Sequence, residues 1–147
     1  MRSKAYQSYL DEEVLAANPL KLVELMYRGA LDSIASARRY LSLGDIRARS
    51  RAINKAMEIL TELARSLNHE AGGEVSRNLA ELYAYMQTLL IEANTKQSDP
   101  PLAEAESLLA TLFEGWSRTT TASTEHSSHE TGFVPSESDY EPVSCAY

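Results

Sequence analysis

Proline is missing from the whole stretch between Leu20 and Asp99. A proline ring removes a backbone donor and clashes inside a helix, so its absence leaves that stretch open to long helices. Glycine interrupts the stretch at few places, chiefly Gly44 and the pair Gly72-Gly73. Cysteine is nearly absent too. Cys145 stands alone, so no intramolecular disulfide can form, which fits a reducing compartment. No apolar run approaches the roughly 20 residues of a membrane span, so no membrane insertion is expected. Asp11-Glu12-Glu13 breaks any apolar run behind the basic start Met1-Arg2-Ser3-Lys4, so no signal peptide is expected either.

Basic excess is lacking as well. The formal charge is −7, and five of the 21 acids (Glu125, Glu130, Glu137, Asp139, Glu141) lie beyond Arg118, where there is no Lys or Arg. The remainder is almost neutral, which argues against a nucleic-acid partner. Histidine is scarce: His69, His126 and His129 are all there is. A di-iron carboxylate bundle needs Glu-x-x-His on two helices, and Ser66 stands three residues before His69. Gly72-Gly73 is not followed by the Gly-Lys-Ser/Thr of a phosphate loop. No catalytic residue, metal or cofactor is expected. Arg47, Arg49, Arg51 and Lys55 form the one basic cluster, and they read as a solvated helix face.

What is present is helical punctuation and periodicity. Asn18-Pro19 suits a helix start, Gly44 a helix end, Gly72-Gly73 a break, and Asp99-Pro100-Pro101 another start. The predicted helices are about 19–43, 46–70, 74–97 and 101–117. The first carries a core stripe of Val23, Met26, Tyr27, Ala30, Ile34, Ala37 and Leu41, at spacings of three and four. The second follows an Asp45 N-cap with Ile46, Ile53, Ala56, Met57, Leu60, Leu63, Ala64 and Leu67. The third offers Val75, Leu79, Leu82, Met86, Leu89, Leu90 and Ala93. The fourth, capped by Asp99, offers Leu102, Ala105, Leu108, Leu109, Leu112, Phe113 and Trp116. Short links make neighbours antiparallel. The expected fold is therefore all-α, an antiparallel up-and-down four-helix bundle.

Residues 1–17 read as a short N-terminal arm, with Tyr6, Tyr9, Leu10 and Val14 on one weak apolar stripe. Residues 1–118 make the helical-bundle domain. From 119 to 147 the periodicity ends and Ser or Thr fills 11 of 29 positions, so this acidic tail is expected to be disordered.

The bundle has more apolar surface than one core needs. Beside the first core stripe runs a second one: Leu22, Leu25, Gly29, Ser33, Ser36 and Tyr40, large at the ends and small between. On the third helix Ala80, Tyr83, Ala84, Gln87 and Ile91 extend the apolar arc, and Ile59 lies off the edge of the second stripe. Two readings follow: a groove for another protein's helices, or the interface of a homodimeric structural or regulatory bundle.

The run Asn18-Pro19-Leu20-Lys21-Leu22-Val23-Glu24-Leu25-Met26-Tyr27-Arg28-Gly29-Ala30, with Ala5-Tyr6 before it, resembles the start of the flagellin-specific export chaperones, the FliS family. So do Gly72-Gly73-Glu74-Val75, Asn78-Leu79, Leu82-Tyr83-Ala84-Tyr85-Met86 and Glu92-Ala93-Asn94, with Leu112 and Trp116 matching the closing helix. Where the family has Thr-Ala-Ser/Asn-Pro, this chain has Ala16-Ala17-Asn18-Pro19. The resemblance implies a non-enzymatic cytoplasmic chaperone, a monomer or weak dimer. Its implied partner is the C-terminal segment of newly made flagellin, which it keeps from premature polymerisation and delivers to the flagellar export gate. The residues then expected to meet the client are Tyr6, Tyr9, Leu10, Val14, Leu22, Leu25, Gly29, Ser33, Tyr40, Ile59, Tyr83, Gln87, Ile91 and Asn94. The N-terminal arm is expected to cover the groove until the client arrives.

Overall fold

In the computed structural model, residues 19–126 and Tyr147 are described, with side chains through Thr119 and at Tyr147. Four helices follow one another: α1 (Pro19–Leu43), α2 (Ile46–Arg65), α3 (His69–Lys96) and α4 (Asp99–His126). Gly44-Asp45, residues 66–68 and Gln97-Ser98 link them. Links this short force antiparallel neighbours. α1 packs on α2, α2 on α3, α3 on α4 and α4 on α1, which closes a square up-and-down bundle. α1 and α3 occupy diagonal corners.

The local reasons are those of helix ends. Gly44 takes φ +73°, the left-handed position after α1, and its N–H donates to Leu41 O. Asp45 Oδ1 then accepts from Ala48 N at 3.1 Å and caps α2. The expected end of the second helix needs correction. α2 stops at Arg65, where Ser66 Oγ donates to Glu62 O, and Asn68 caps α3 by accepting from Ala71 N. Asn68 is the residue that starts a new helix here, as an N-cap. Gly73, at φ 49° and ψ −119°, is non-helical, so the expected break at Gly72-Gly73 is present and divides the first turn of α3 from its main run. The Asn18 cap lies outside the described residues. Asp99 is the first residue of α4, and Arg38 of α1 holds its carboxylate.

The core is built from Val23, Tyr27, Ala30, Ile34 and Ala37 of α1, then Ile53, Ala56, Leu60 and Leu63 of α2 and Leu67 just after it. α3 adds Leu79, Tyr83, Met86, Leu89, Leu90 and Ala93, and α4 adds Leu102, Ala105, Leu109 and Trp116. Three expectations are corrected. Tyr83 is 1% exposed and replaces Leu82 in the core, because 79, 83, 86, 90 and 93 share one face. Ile46, in the first turn of α2, is exposed. Arg49 is 3% exposed rather than solvated. At the far end, α4 runs past the expected end near 117 to His126, and Thr119 is buried with its Oγ1 donating to Gly115 O. Residues 119–126 of the expected disordered tail are therefore helical, and residues 127–146 lie outside the described residues.

Candidate partner-binding surface

Tyr6, Tyr9, Leu10 and Val14, and with them the expected covering arm, lie outside the described residues. The remaining expected positions divide into outward and inward groups. On α1, Leu22 and Leu25 are half-buried, although Val23 and Tyr27 beside them are fully buried. Gly29 is half-buried, and its carbonyl accepts from the Ser33 hydroxyl at 2.8 Å. Ser33 itself is buried. Tyr40 is half-buried beneath the Arg39 guanidinium, 5.1 Å from its ring centroid. This strip therefore presents leucines near one end of α1 and a cation-capped tyrosine near the other.

On α3, Ile91 is 55% exposed. The other expected positions of α3 are engaged within the bundle. Gln87 Nε2 donates to Met57 O and to Thr61 Oγ1 of α2, on either side of half-buried Ile59 in sequence. Asn94 Oδ1 accepts from Arg49 Nε at 3.1 Å and from Ser50 Oγ at 3.2 Å. The Tyr83 hydroxyl meets that of Tyr27 at 2.6 Å inside the bundle. The structure thus leaves an apolar strip on α1 and the exposed Ile91 on α3, on diagonal corners, and does not bring them into one groove.

Sequence reasoning missed several surface groups. Leu43 is 70% exposed at the α1–α2 turn, beside exposed Ile46. Tyr85 is 45% exposed, and its hydroxyl donates to Glu104 Oε2 at 2.7 Å. A shallow depression of about 470 Å³ opens there between Leu89, Pro100 and Pro101. Arg38 spans α1 to α4, with Nε and Nη2 on the two Asp99 oxygens at 2.8 and 2.9 Å and Nη1 on Glu106 at 2.9 Å. Its hydrogen bonds hold the Asp99 carboxyl below its ordinary pKa of 3.8. Such cross-helix pairs leave no periodic signal in a sequence.

Among the described residues no group of His, Cys, Asp or Glu is arranged to hold a metal ion. No helix among them is long and apolar enough to cross a membrane. The described surface carries half-buried leucines on α1 and exposed Ile91 on α3, with side-chain hydrogen bonds between neighbouring helices beside them.

Comparison with known proteins agrees over the length of the bundle. The sequence profile described as Flagellar protein FliS matches residues 2–123. A flagellar secretion chaperone FliS of Salmonella typhimurium is 37% identical over 115 residues, which is 77% of this chain and 85% of that one. Flagellar secretion chaperone FliSB of Pseudomonas aeruginosa is 37% identical over 114 residues, 77% of this chain and 90% of that one. The FliS of Bacillus subtilis is 30% identical over 111 residues, 76% and 82% of the two chains.

Proposed function

The chain belongs to the flagellar protein FliS family, and from that premise we propose that it is a cytoplasmic export chaperone for flagellin. The family is one of chaperones, not enzymes. In this reading the protein takes the helix-prone C-terminal segment of new flagellin, shields it from premature polymerisation, and carries it to the type III export gate. The client must be held reversibly. Coupling its ordering to binding permits a large contact without extreme affinity.

The observation that carries the reading is the placement of half-buried leucines on α1 and of exposed Ile91 on α3. Helices packed in a square with axes 8–10 Å apart have diagonal axes roughly 11–14 Å apart. One straight helix laid in a groove cannot cover both corners. A long client that wraps the bundle and turns as it goes can reach Leu22 and Leu25 on one corner and Ile91 on the other. Gln87, Asn94 and Arg49 support this arrangement from beneath, because their internal hydrogen bonds keep the helices fixed while the outer faces exchange partners.

Light scattering on a sizing column tests the reading. The chain alone is expected to elute as a monomer or weak dimer, and adding flagellin is expected to give a 1:1 complex. A tight dimer unchanged by flagellin overturns it in favour of a homodimeric bundle.

A further inference from the structure

Tyr27 and Tyr83 reach toward each other across the diagonal of the bundle. Both rings are buried, and Tyr27 is further enclosed by Phe113, edge-on at 5.6 Å, and by Trp116 at 6.2 Å. Two phenols in this pose own two protons but share one hydrogen bond. The second proton needs a third acceptor, because an unmet buried hydroxyl is costly. Tyr147 supplies it. Its hydroxyl contacts that of Tyr83 and stands 3.3 Å from that of Tyr27. With three hydroxyls in mutual reach, each donates once and accepts once. Burial pushes all three phenols above their ordinary ionisation range, so all stay protonated donors. The Tyr147 ring is half-buried and packs on the core cluster, unlike the two fully buried rings that receive it.

We propose that the Tyr27–Tyr83 pair is a socket for a hydrogen-bonding aromatic side chain, filled by this chain's own Tyr147, which a docking client displaces. The displacement rests on the chaperone reading above; the seat itself does not. Three arguments support an exchangeable plug. The 21 residue steps from His126 to Tyr147 can span roughly 70 Å at about 3.3 Å each. That exceeds the ~42 Å length of α4, so the separation in sequence is long enough for Tyr147 to reach the socket. A residue of the same chain competes for the socket at a local effective concentration that does not depend on protein concentration, so a client displaces it by binding more strongly. The socket also lies toward the end of the bundle where α1 begins and α4 ends, the end that carries Leu22 and Leu25. A client laid over those leucines meets the returning chain there.

The test compares the full chain with Tyr147→Ala and Tyr147→Phe. Trp116 is the single tryptophan and reports on the socket without any client. In Tyr147→Ala its emission is expected to shift and its quenching by iodide to rise. The flagellin C-terminal peptide is expected to bind about two- to tenfold tighter, the factor of one net hydrogen bond released from competition. Tyr147→Phe, which keeps the ring and loses the hydroxyl, is expected to fall between. Unchanged Trp116 emission together with equal peptide affinity in all three chains overturns the proposal. If no chain binds the peptide, the chaperone reading fails, and the competition with it. Trp116 then still decides the seat: a shifted emission supports it and an unchanged one removes it.

Discussion

Gln97 holds the left-handed conformation, φ 52° and ψ 51°, where α3 ends and its N–H returns to Ala93 O. That conformation costs a side chain with a Cβ about 1–2 kcal/mol, and glycine is spared it. Glycine gives back about 0.5–1 kcal/mol through the greater freedom of the unfolded chain. Gln97→Gly is therefore expected to raise the melting temperature by roughly 1–4 °C, read by circular dichroism. A fall would mean the Gln97 side chain contributes more than its strain costs. Arg49 teaches a related lesson about single residues. Its position fits the core register 49, 53, 56, 60, 63, which points inward, yet in sequence it reads as part of a solvated basic face. Its charge argued for solvent, since an arginine is rarely buried without partners. The partners come from α3: Asn94 offers its side-chain oxygen and one of the last four carbonyls of the helix, which have no intrahelical donor. The guanidinium thus sits at the negative end of the α3 dipole. Nothing within α2 announces that arrangement, because it depends on a residue 45 positions away.

At the scale of elements, the stripes of α1 and α4 were readable because each is interrupted only at its ends. The second helix ends earlier than the glycine pair alone indicates: Asn68 caps a new turn ahead of the pair, and Gly73 then takes the non-helical conformation of the expected break. Leu82 and Tyr83 exchange roles. Hydropathy favours leucine, yet Tyr83 is at the right angle and finds the Tyr27 hydroxyl to satisfy its own. α4 closes the bundle through Leu102, Ala105, Leu109 and Trp116. Trp116 is 3% exposed and packs beside Tyr27 and Phe113. Trp116→Ala is expected to destabilise the protein by about 3–5 kcal/mol, the usual loss for a buried large aromatic, as a lowered urea midpoint. An unchanged midpoint would mean that the last turns of α4 contribute nothing to folding.

For the whole molecule, the bundle followed from proline spacing, caps and 3.6-residue periodicity, all of which are local. The candidate surface was only partly legible. Excess apolar arc on α3 could mean exposure or a wider core, and the two look alike along a helix. The tertiary structure divides them, sending Tyr83 to the core, tying Gln87 and Asn94 to α2, and leaving Ile91 outside. Ile91 is thus where the client reading meets the fewest competing explanations. Calorimetric titration of the flagellin C-terminal segment into the wild-type chain and into Ile91→Glu tests it most directly. The substitution adds a charge to a side chain that is 55% exposed, so the helical spectrum and melting temperature should hold. Burying that charge against an apolar client is strongly unfavourable, and affinity is expected to fall by at least about tenfold. Wild-type affinity in a folded Ile91→Glu chain would contradict the account by placing the client away from α3.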